Sequence, residues 1–165
     1  KRVYYSGDVP ITTDNRVPLL SAPPLLRENR VYQADWLLRF YKFSLDEIVT
    51  PEAPNLDLEV DPKQGYALRN PQAFPVDINK ADYEMILRVP GIGVKSAKKI
   101  VSARRFQRIT WENLKAFGVA SKRTQFFITC PGLAAPRDWD TARLRTQLTS
   151  PASRPLETPQ LGLFG

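Results

Sequence analysis

Residues 87–97 of this chain read Leu-Arg-Val-Pro-Gly-Ile-Gly-Val-Lys-Ser-Ala, and this stretch decides how the residues around it fold. The preceding segment predicts a short helix over about residues 80–88, with Asn79 as its N-cap. The Pro-Gly dipeptide then stops this helix. A second helix is predicted from about Val94, because apolar residues recur there at helical spacing. The stretch therefore predicts two short helices joined by a tight glycine hairpin.

The hairpin glycines, Gly91 and Gly93, point to anion binding for a steric and an electrostatic reason. Glycine permits a positive φ and places no Cβ between the backbone and a bulky anion. The main-chain N–H groups of residues 93–96 would lie at the positive end of the second helix, where a DNA phosphate can accept their hydrogen bonds. Because no base is touched, we expect binding that is nearly independent of sequence. The predicted DNA-binding residues are Pro90, Gly91, Ile92, Gly93, Val94, Lys95, Ser96, Lys98, Lys99, Arg105, Gly118 and Lys122.

The basic charge of the chain is confined to the segment around this hairpin. The whole chain has 165 residues, with 24 Lys and Arg against 17 Asp and Glu, and a net charge of +7. Residues 80–123 contain eleven basic and three acidic residues, whereas the other residues together carry a slight acidic excess. A local basic excess indicates a polyanionic partner, although a run rich in Lys and Arg can also be a solvated face. Since the charges surround an anion-binding turn, the sequence favours nucleic acid.

The hairpin resembles the helix-hairpin-helix DNA-binding motif, which typically has apolar-Pro-Gly-Ile/Val-Gly followed by Ala four residues later. Residues 89–93 and Ala97 fill these positions. The resemblance implies binding of double-stranded or damaged DNA through its backbone. It also implies a monovalent cation, Na⁺ or K⁺, held by the main-chain carbonyls of Leu87, Val89 and Ile92.

A second copy of the pattern is predicted over residues 109–128. Thr110 is its expected N-cap, and Gly118 stands at the turn ahead of a basic helix. Ala120 occupies the place of the second hairpin glycine. Tandem motifs of the family that it resembles pack as a pseudo-symmetric four-helix unit, so this copy either binds a second phosphate or is mainly a packing partner.

Ahead of the hairpins, the sequence predicts further helices. A helix begins at about Leu25, and its aromatic stripe is interpreted as core, with a base-stacking surface as the alternative. The stripe consists of Tyr32, Trp36, Leu37, Phe40 and Tyr41. Ser44 and Glu47 have the spacing of a capping box for a short helix. Asp61-Pro62 predicts the start of another helix, which ends near Asn70.

Two short strands are predicted in the first part of the chain. Residues 3–5, Val-Tyr-Tyr, are expected to form a buried strand. Residues 56–61 alternate between apolar and acidic side chains, which allows an edge strand. Because one strand cannot stand alone, residues 3–5 are interpreted as the remnant of a larger sheet.

The composition excludes several kinds of site. The chain has one cysteine, Cys130, and no histidine, so by itself it cannot form a zinc finger, a Ser-His-Asp site or a disulfide scaffold. Cys130 is interpreted as a small buried side chain. The sequence has no run of about 18 apolar residues. Its first 20 residues also lack the succession of basic, apolar and small residues that is typical of a signal peptide. We therefore expect a cytoplasmic protein with no membrane partner.

Three separated strings resemble the C-terminal part of the DNA modification/repair radical SAM proteins, namely residues 26–41, 56–63 and 74–79. The resemblance covers about residues 1–130. It implies an upstream barrel that binds a 4Fe-4S cluster and S-adenosylmethionine through a CxxxCxxC loop, which is absent from this chain. Because the chain starts with Lys1 and not with Met, we interpret it as the non-catalytic, DNA-holding piece of a longer enzyme.

The tail is predicted to be a flexible linker. From residue 131 it is rich in Pro and Gly, with a short helix expected at residues 139–148. Its last residues are similar to the bacterial sliding-clamp-binding peptide, usually Gln-Leu-Ser/Asp-Leu-Phe, in which the apolar residues enter a pocket of the clamp. A random apolar C-terminus is the alternative. The candidate clamp-binding residues are Gln160, Leu161, Leu163 and Phe164.

An enzymatic alternative rests on Lys95. In bifunctional DNA glycosylases with a similar hairpin, a lysine at this place forms a Schiff base with the sugar. Those enzymes carry an aspartate 18 residues further on, where this chain has Asn113. The sequence therefore favours Lys95 as a phosphate contact over Lys95 as the nucleophile of a glycosylase/lyase.

The predicted fold is mainly α and has four regions. These are a strand and loop remnant (1–22), a helical linking region (23–78), a tandem helix-hairpin-helix domain (79–130) and a Pro-rich tail (131–165). The predicted function is sequence-nonspecific DNA binding, as the C-terminal module of a radical SAM DNA modification/repair protein.

Overall fold

The fold is taken from a computed structural model, which describes residues 4–5, 25–134 and 140–149. Within these ranges the chain forms α-helices and two short strands, and the predicted mainly helical fold is confirmed. The helices are α1 (Leu25–Phe40), α2 (Leu45–Ile48), α3 (Pro62–Arg69), α4 (Tyr83–Arg88), α5 (Val94–Ala103), α6 (Trp111–Ala116), α7 (Ser121–Thr124) and α8 (Thr141–Thr149). The strands are β1 (Val76–Asp77) and β2 (Ile128–Thr129), and a 3-10 turn covers Pro71–Ala73. The chain divides into two compact units, Lys1–Tyr66 and Ala67–Gly165.

The first unit contains α1 and a small apolar cluster. Leu37, Phe43 and Ile48 form the buried centre of this cluster, and Tyr41 packs against it. The prediction that the aromatic stripe is core was wrong for Trp36 and Phe40, which are 57% and 50% exposed. Successive residues on a helix point about 100° apart, so the turn that buries Leu37 directs Trp36 away from the cluster.

Two predicted helix starts in the first unit are confirmed. The Ser44 N–H donates to the Glu47 carboxylate at 2.9 Å, which completes the capping box of α2. Asp61 caps α3, because its Oδ1 accepts a hydrogen bond from the Gln64 N–H at 2.9 Å. Both caps satisfy N–H groups that have no acceptor within the helix itself.

The two strands predicted in the first part of the chain are not present among the described residues. Over residues 56–60 the Asp57 carboxylate accepts hydrogen bonds from the N–H groups of Glu59, at 2.8 Å, and Val60, at 3.3 Å. This side-chain turn bends the backbone and replaces strand pairing. Tyr5 is not in a strand either, and its N–H donates to the Tyr32 hydroxyl at 2.9 Å. Val3, the first residue of that predicted strand, lies outside the described residues.

The second unit is closed by a short parallel strand pair that the sequence did not predict. In this pair Val76 of β1 lies opposite Ile128 of β2. The rings of Phe74 and Phe127 meet edge to face beside it, with centroids 5.7 Å apart. The pairing brings the segment before α4 next to the segment after α7. It therefore joins the two ends of the region that contains both hairpins. Its side chains with at most 1% exposure are Ala67, Ile78, Ile86, Leu87, Val89, Ile92, Ala97, Ile100, Ile109, Leu114, Thr124, Phe127 and Ile128.

The predicted tail helix is confirmed as α8, which buries Leu144 and Leu148. The candidate clamp-binding residues 160–164 lie outside the described residues. Among the helices that the structure describes, none combines the length and the apolar character needed to cross a bilayer.

Candidate nucleic-acid interface

The first helix of the hairpin begins later than predicted. Asp82 caps α4, because its Oδ1 accepts a hydrogen bond from the Met85 N–H at 2.6 Å. The prediction of Asn79 as the cap was wrong, because the Asn79 amide bonds to the main chain of Ile109. Its Oδ1 accepts from the Ile109 N–H at 2.7 Å, and its Nδ2 donates to the Ile109 carbonyl at 3.0 Å. Asn79 therefore holds the start of the second motif beside the first.

The two glycines of the first hairpin, Gly91 and Gly93, differ in backbone conformation. Gly91 has a φ of +88°, and a Cβ on it would overlap the Thr124 Oγ1 and lie 3.0 Å from the Ala120 carbonyl oxygen. Both conformation and space therefore require glycine at this position. Gly93 is the N-cap of α5 and has a φ of −90°, which any residue adopts. Of the two glycines, only Gly91 therefore has a backbone conformation that favours glycine.

Four main-chain donors at the start of α5 have no hydrogen-bond acceptor in the part of the chain that the structure describes. The first helical hydrogen bond runs from the Ala97 N–H to the Gly93 carbonyl, at 2.8 Å. Within the described residues, the N–H groups of residues 93–96 have no acceptor. Gly93 and Val94 are half-buried and Lys95 is exposed. These donors therefore lie at the positive end of a helix, at a partly exposed bend.

The second hairpin has the same turn but different donors. Thr110 caps α6 in a capping box with Asn113, which confirms its predicted role. Gly118 has a φ of +83°, close to that of Gly91. The Ala120 N–H, which corresponds to that of Gly93, donates to the Gly91 carbonyl at 2.9 Å. The Ala120 amide is thus bonded within the protein, whereas its counterpart at Gly93 has no acceptor among residues 4–5, 25–134 and 140–149.

Two hydroxyl groups connect the hairpins, and sequence reasoning missed their contacts. The Thr124 Oγ1 donates to the Pro90 carbonyl at 3.1 Å, and the Ser96 Oγ donates to the Phe117 carbonyl at 3.0 Å. Each acceptor immediately precedes the positive-φ glycine of its hairpin. A hydroxyl residue within the second helix of each motif is the only sequence signal of this arrangement.

The basic residues of the segment 80–123 fall into two groups. Those with a partner inside the protein are Lys80, Arg88, Arg104, Lys115 and Arg123. Those that are exposed and have no partner among the described residues are Lys95, Lys98, Lys99, Arg105, Arg108 and Lys122. The second group contains every basic residue that the sequence predicted to bind DNA, together with Arg108. The structure thus leaves these cations available to an anionic molecule.

Of the four remaining predicted binding residues, three are buried in the first motif and one is exposed in the second. Pro90 and Ile92 are buried. Ser96 is also buried, and its hydroxyl is turned toward the second motif. Gly118 is exposed. Of these four positions, Gly118 alone presents open surface, and a Cβ on it would meet no atom within 4 Å.

Asn113 and Cys130 have structural roles in the second unit. Asn113, at the position where the glycosylases carry an aspartate, accepts hydrogen bonds from the N–H and the hydroxyl of Thr110, at 3.0 and 2.9 Å. Cys130 is half-buried, and its burial, followed by the charge of Asp77, raises the pKa of the thiol. A raised pKa keeps the thiol protonated. The prediction that Cys130 is buried holds only in part, because the residue is half-buried.

The residues that could hold a cation are main-chain carbonyls of the first hairpin. The Val89 carbonyl accepts the Ile92 N–H at 3.2 Å and keeps a second lone pair. The Leu87 carbonyl lies in the last turn of α4, where main-chain carbonyls have no N–H donor within the helix. Neutral oxygen donors suit a hard cation, so these residues fit the predicted ion. Among the described residues no group of three His, Cys, Asp or Glu side chains could hold a metal.

The arrangement of two short helices about a Pro-Gly-Ile-Gly turn agrees with the comparison with known families. Residues 72–115 match the family model of the helix-hairpin-helix motif. The match extends from the 3-10 turn into α6, so the second hairpin lies beyond it. Comparisons with curated proteins and with solved structures gave no match. The helix-hairpin-helix motif indicates nucleic-acid binding, and the match bears on neither the radical SAM resemblance nor the glycosylase alternative.

Proposed function

We propose that this chain binds double-stranded DNA through its phosphate backbone, without sequence preference, at the first hairpin. The observation that carries the proposal is the set of N–H groups at residues 93–96, which have no acceptor among the described residues. A phosphate oxygen is the complementary partner, because it accepts several hydrogen bonds and is favoured by the helix dipole. The helix-hairpin-helix match supports the same conclusion.

The exposed lysines of α5 supply the electrostatic part of the interaction. Lys95, Lys98 and Lys99 belong to the first two turns of α5 and are exposed. Neutralising phosphates releases counterions, so log K should fall by about 0.9 per neutralised phosphate for each tenfold rise in salt. Binding should therefore be strongest at low ionic strength and similar for unrelated duplex sequences.

The second hairpin acts mainly as a packing partner in this proposal. Its Ala120 N–H already donates to the Gly91 carbonyl, and α7 has only four residues. Lys122, which is exposed at this hairpin, adds a charge contact with the same DNA. The second hairpin thus supports the turn of the first and contributes charge, with fewer main-chain donors.

A monovalent cation completes the proposed contact. The main-chain carbonyls of Leu87, Val89 and Ile92 would hold Na⁺ or K⁺ near the phosphate. The ion would supply positive charge without a side chain. We expect duplex affinity at constant ionic strength to be higher in KCl or NaCl than in a salt of a bulky organic cation.

Substitution of Gly93 tests the amide contact. Gly93→Val is compatible with a φ of −90° but places a branched side chain beside the free amides. We expect at least tenfold weaker duplex binding by fluorescence anisotropy, with a nearly unchanged melting temperature. Ala120→Val is the matched control, because that amide is already bonded within the protein. Equal affinities for the wild type and Gly93→Val would overturn the proposal.

A charge-reversal pair tests whether position matters or only net charge. Lys98→Glu and Lys80→Glu change the net charge equally. Lys80 lies before α4, at the end away from the hairpin, and is 3.7 Å from the Asp77 carboxylate. We expect Lys98→Glu to weaken duplex binding much more than Lys80→Glu. Equal losses would indicate a diffuse electrostatic attraction in place of the proposed contact.

Two wider proposals rest on sequence alone. The strings at residues 26–41, 56–63 and 74–79 support a role as the DNA-holding part of a radical SAM enzyme. Iron analysis of the natural gene product tests this context, because Cys130 alone cannot hold a cluster.

The last residues support binding to a sliding clamp, so deletion of 160–164 should abolish clamp binding and leave DNA affinity unchanged. Retained clamp binding would refute that role.

A further inference from the structure

The turn between α5 and α6 presents an aromatic ring to solvent. Phe106, at the centre of this turn, is 89% exposed, more than any other large apolar side chain that the structure describes as exposed. Such a ring buries almost no apolar surface, so it contributes little to the stability of the fold. Single exposed apolar residues are common on protein surfaces, and the surroundings of Phe106 are what distinguish it.

The backbone that carries Phe106 is fixed at both ends. At one end, the Arg104 guanidinium donates to the main-chain carbonyl of Ala81. At the other end, the main chain of Ile109 makes two hydrogen bonds with the Asn79 side chain, at 2.7 and 3.0 Å. The Phe106 N–H itself donates to the Ala103 carbonyl at 3.0 Å. The exposed ring therefore belongs to a turn whose backbone is fixed by hydrogen bonds.

The charges beside the ring suit a polyanion. Arg105 and Arg108 flank Phe106 on both sides, are exposed, and have no partner among the described residues. The exposed lysines of α5 lie between this turn and the hairpin. The ten residues of α5 span about 15 Å, at about 1.5 Å each. That length corresponds to four or five nucleotide steps of about 3.4 Å.

We propose that Phe106 stacks on an unpaired base while the first hairpin holds a phosphate of the adjoining duplex. The inference rests on the proposed function and adds a substrate class, namely DNA in which a paired region meets unpaired nucleotides. Within an intact duplex each base face is covered by its neighbours, whereas an unpaired base has a free face for an aromatic ring. Phenylalanine has no hydrogen-bonding group, so the stacking is tolerant of base identity. Arg105 and Arg108 contact the phosphates on either side of that base.

Two DNA probes and the full chain test this inference. One probe is a fully paired duplex, and the other is the same duplex with a five-nucleotide overhang that contains 2-aminopurine. We expect the wild type to prefer the overhang probe and to change its 2-aminopurine fluorescence. Phe106→Ala should weaken binding of this probe by about 5- to 150-fold, the range for loss of one base–aromatic stack. Its affinity for the paired duplex should change less than twofold.

Three control variants separate stacking from other effects. Phe106→Trp should keep both the affinity and the fluorescence change, whereas Phe106→Leu, which keeps an apolar side chain, should lose the fluorescence change. Trp36→Ala removes another exposed aromatic ring, 57% exposed and outside the basic segment, and should have no effect on either probe. The melting temperature of Phe106→Ala should equal that of the wild type.

The outcomes distinguish the inference from the function on which it rests. If the wild type binds both probes equally and Phe106→Ala behaves as the wild type, the stacking inference is overturned. Duplex binding that still depends on Gly93 would then leave the proposed function intact. Equal losses for Phe106→Ala on both probes would also overturn the inference, because the ring would then contact DNA without an unpaired base. Failure of the wild type to bind either probe would overturn both.

Discussion

The hydroxyl of Thr124 donates a 3.1 Å hydrogen bond to the carbonyl of Pro90 and so joins the second motif to the first hairpin. Thr124 is completely buried. Ser96 makes the converse bond, to the Phe117 carbonyl of the second hairpin. Each hairpin therefore depends on a side chain of the other motif for its shape. This mutual support gives the second copy a role even though its Ala120 amide is bonded within the protein.

Removal of the Thr124 hydroxyl should destabilise the fold. Thr124→Val keeps the shape of the side chain but leaves the buried Pro90 carbonyl without its donor. Loss of a buried hydrogen bond of this kind costs about 1–3 kcal/mol, to be measured as the free energy of unfolding in urea. Thr146→Val, at an exposed position of α8, is the control and should change stability little. Equal stability for Thr124→Val and the wild type would contradict the bond.

The two positive-φ glycines should respond differently to alanine. Gly118→Ala meets no atom within 4 Å, so it should cost only about 1–2 kcal/mol for the left-handed backbone. Gly91→Ala has the same backbone cost and also an overlap with the Thr124 Oγ1. Thermal unfolding should therefore show a larger loss of stability for Gly91→Ala. Similar losses for the two variants would show that the packing around Gly91 is not tight.

Lys63 should make stability depend on pH. Burial lowers the pKa of Lys63 to about 7 from an ordinary value of 10.5, and the nearby charge of Asp61 opposes this shift. The amine also lies 4.6 Å from the centre of the Tyr41 ring. Between these two pH values the unfolded chain binds a proton that the folded chain releases. Stability should therefore rise with pH in this window, by at most about 1.4 kcal/mol per pH unit.

Unfolding of Lys63→Met at several pH values between 7 and 10 checks this dependence. Other groups titrate in both proteins, so the difference between the variant and the wild type isolates Lys63. We expect Lys63→Met to be more stable at pH 7, with the advantage shrinking as the pH rises. A constant difference across the range would show that Lys63 does not release its proton.

Lys95 should not form a covalent bond with damaged DNA. It is exposed on the first turn of α5, and Asn113 serves as a helix-capping residue where the glycosylases carry an aspartate. We expect no Lys95-dependent adduct when the protein is mixed with abasic-site DNA and reduced with borohydride. Lys95→Arg, which keeps the charge, should bind duplex DNA as the wild type does. A trapped adduct that disappears in Lys95→Arg would instead establish glycosylase/lyase chemistry.

The first hairpin could be predicted from sequence because its information is local. Proline and glycine fix the turn over a few residues, and the apolar spacing around it fixes which sides of α4 and α5 are buried. Gly91 accordingly has a positive φ, α5 begins at Val94, and Ala97 is buried. The confinement of positive charge to residues 80–123 was likewise visible in the sequence.

The features that sequence reasoning missed depend on residues that are far apart in the chain. Asn79 and Asp82 are both good caps, and the bonds from Asn79 to Ile109, 30 residues away, leave the cap to Asp82. The strand pair joins Val76 to Ile128 through only two residues on each side, which is too short for a detectable alternation. Periodicity also revealed α1 but not how wide its buried face is, which is why Trp36 was assigned to the core.

The most direct test of the central claim is an NMR titration of the ¹⁵N-labelled chain with duplex DNA. The amide signals of residues 93–96 should shift downfield and saturate together as phosphate accepts their hydrogen bonds. The Ala120 amide, which already donates to the Gly91 carbonyl, should move little. Raising the salt concentration should reverse the shifts. Unchanged signals at residues 93–96 in a sample that binds DNA would contradict the account.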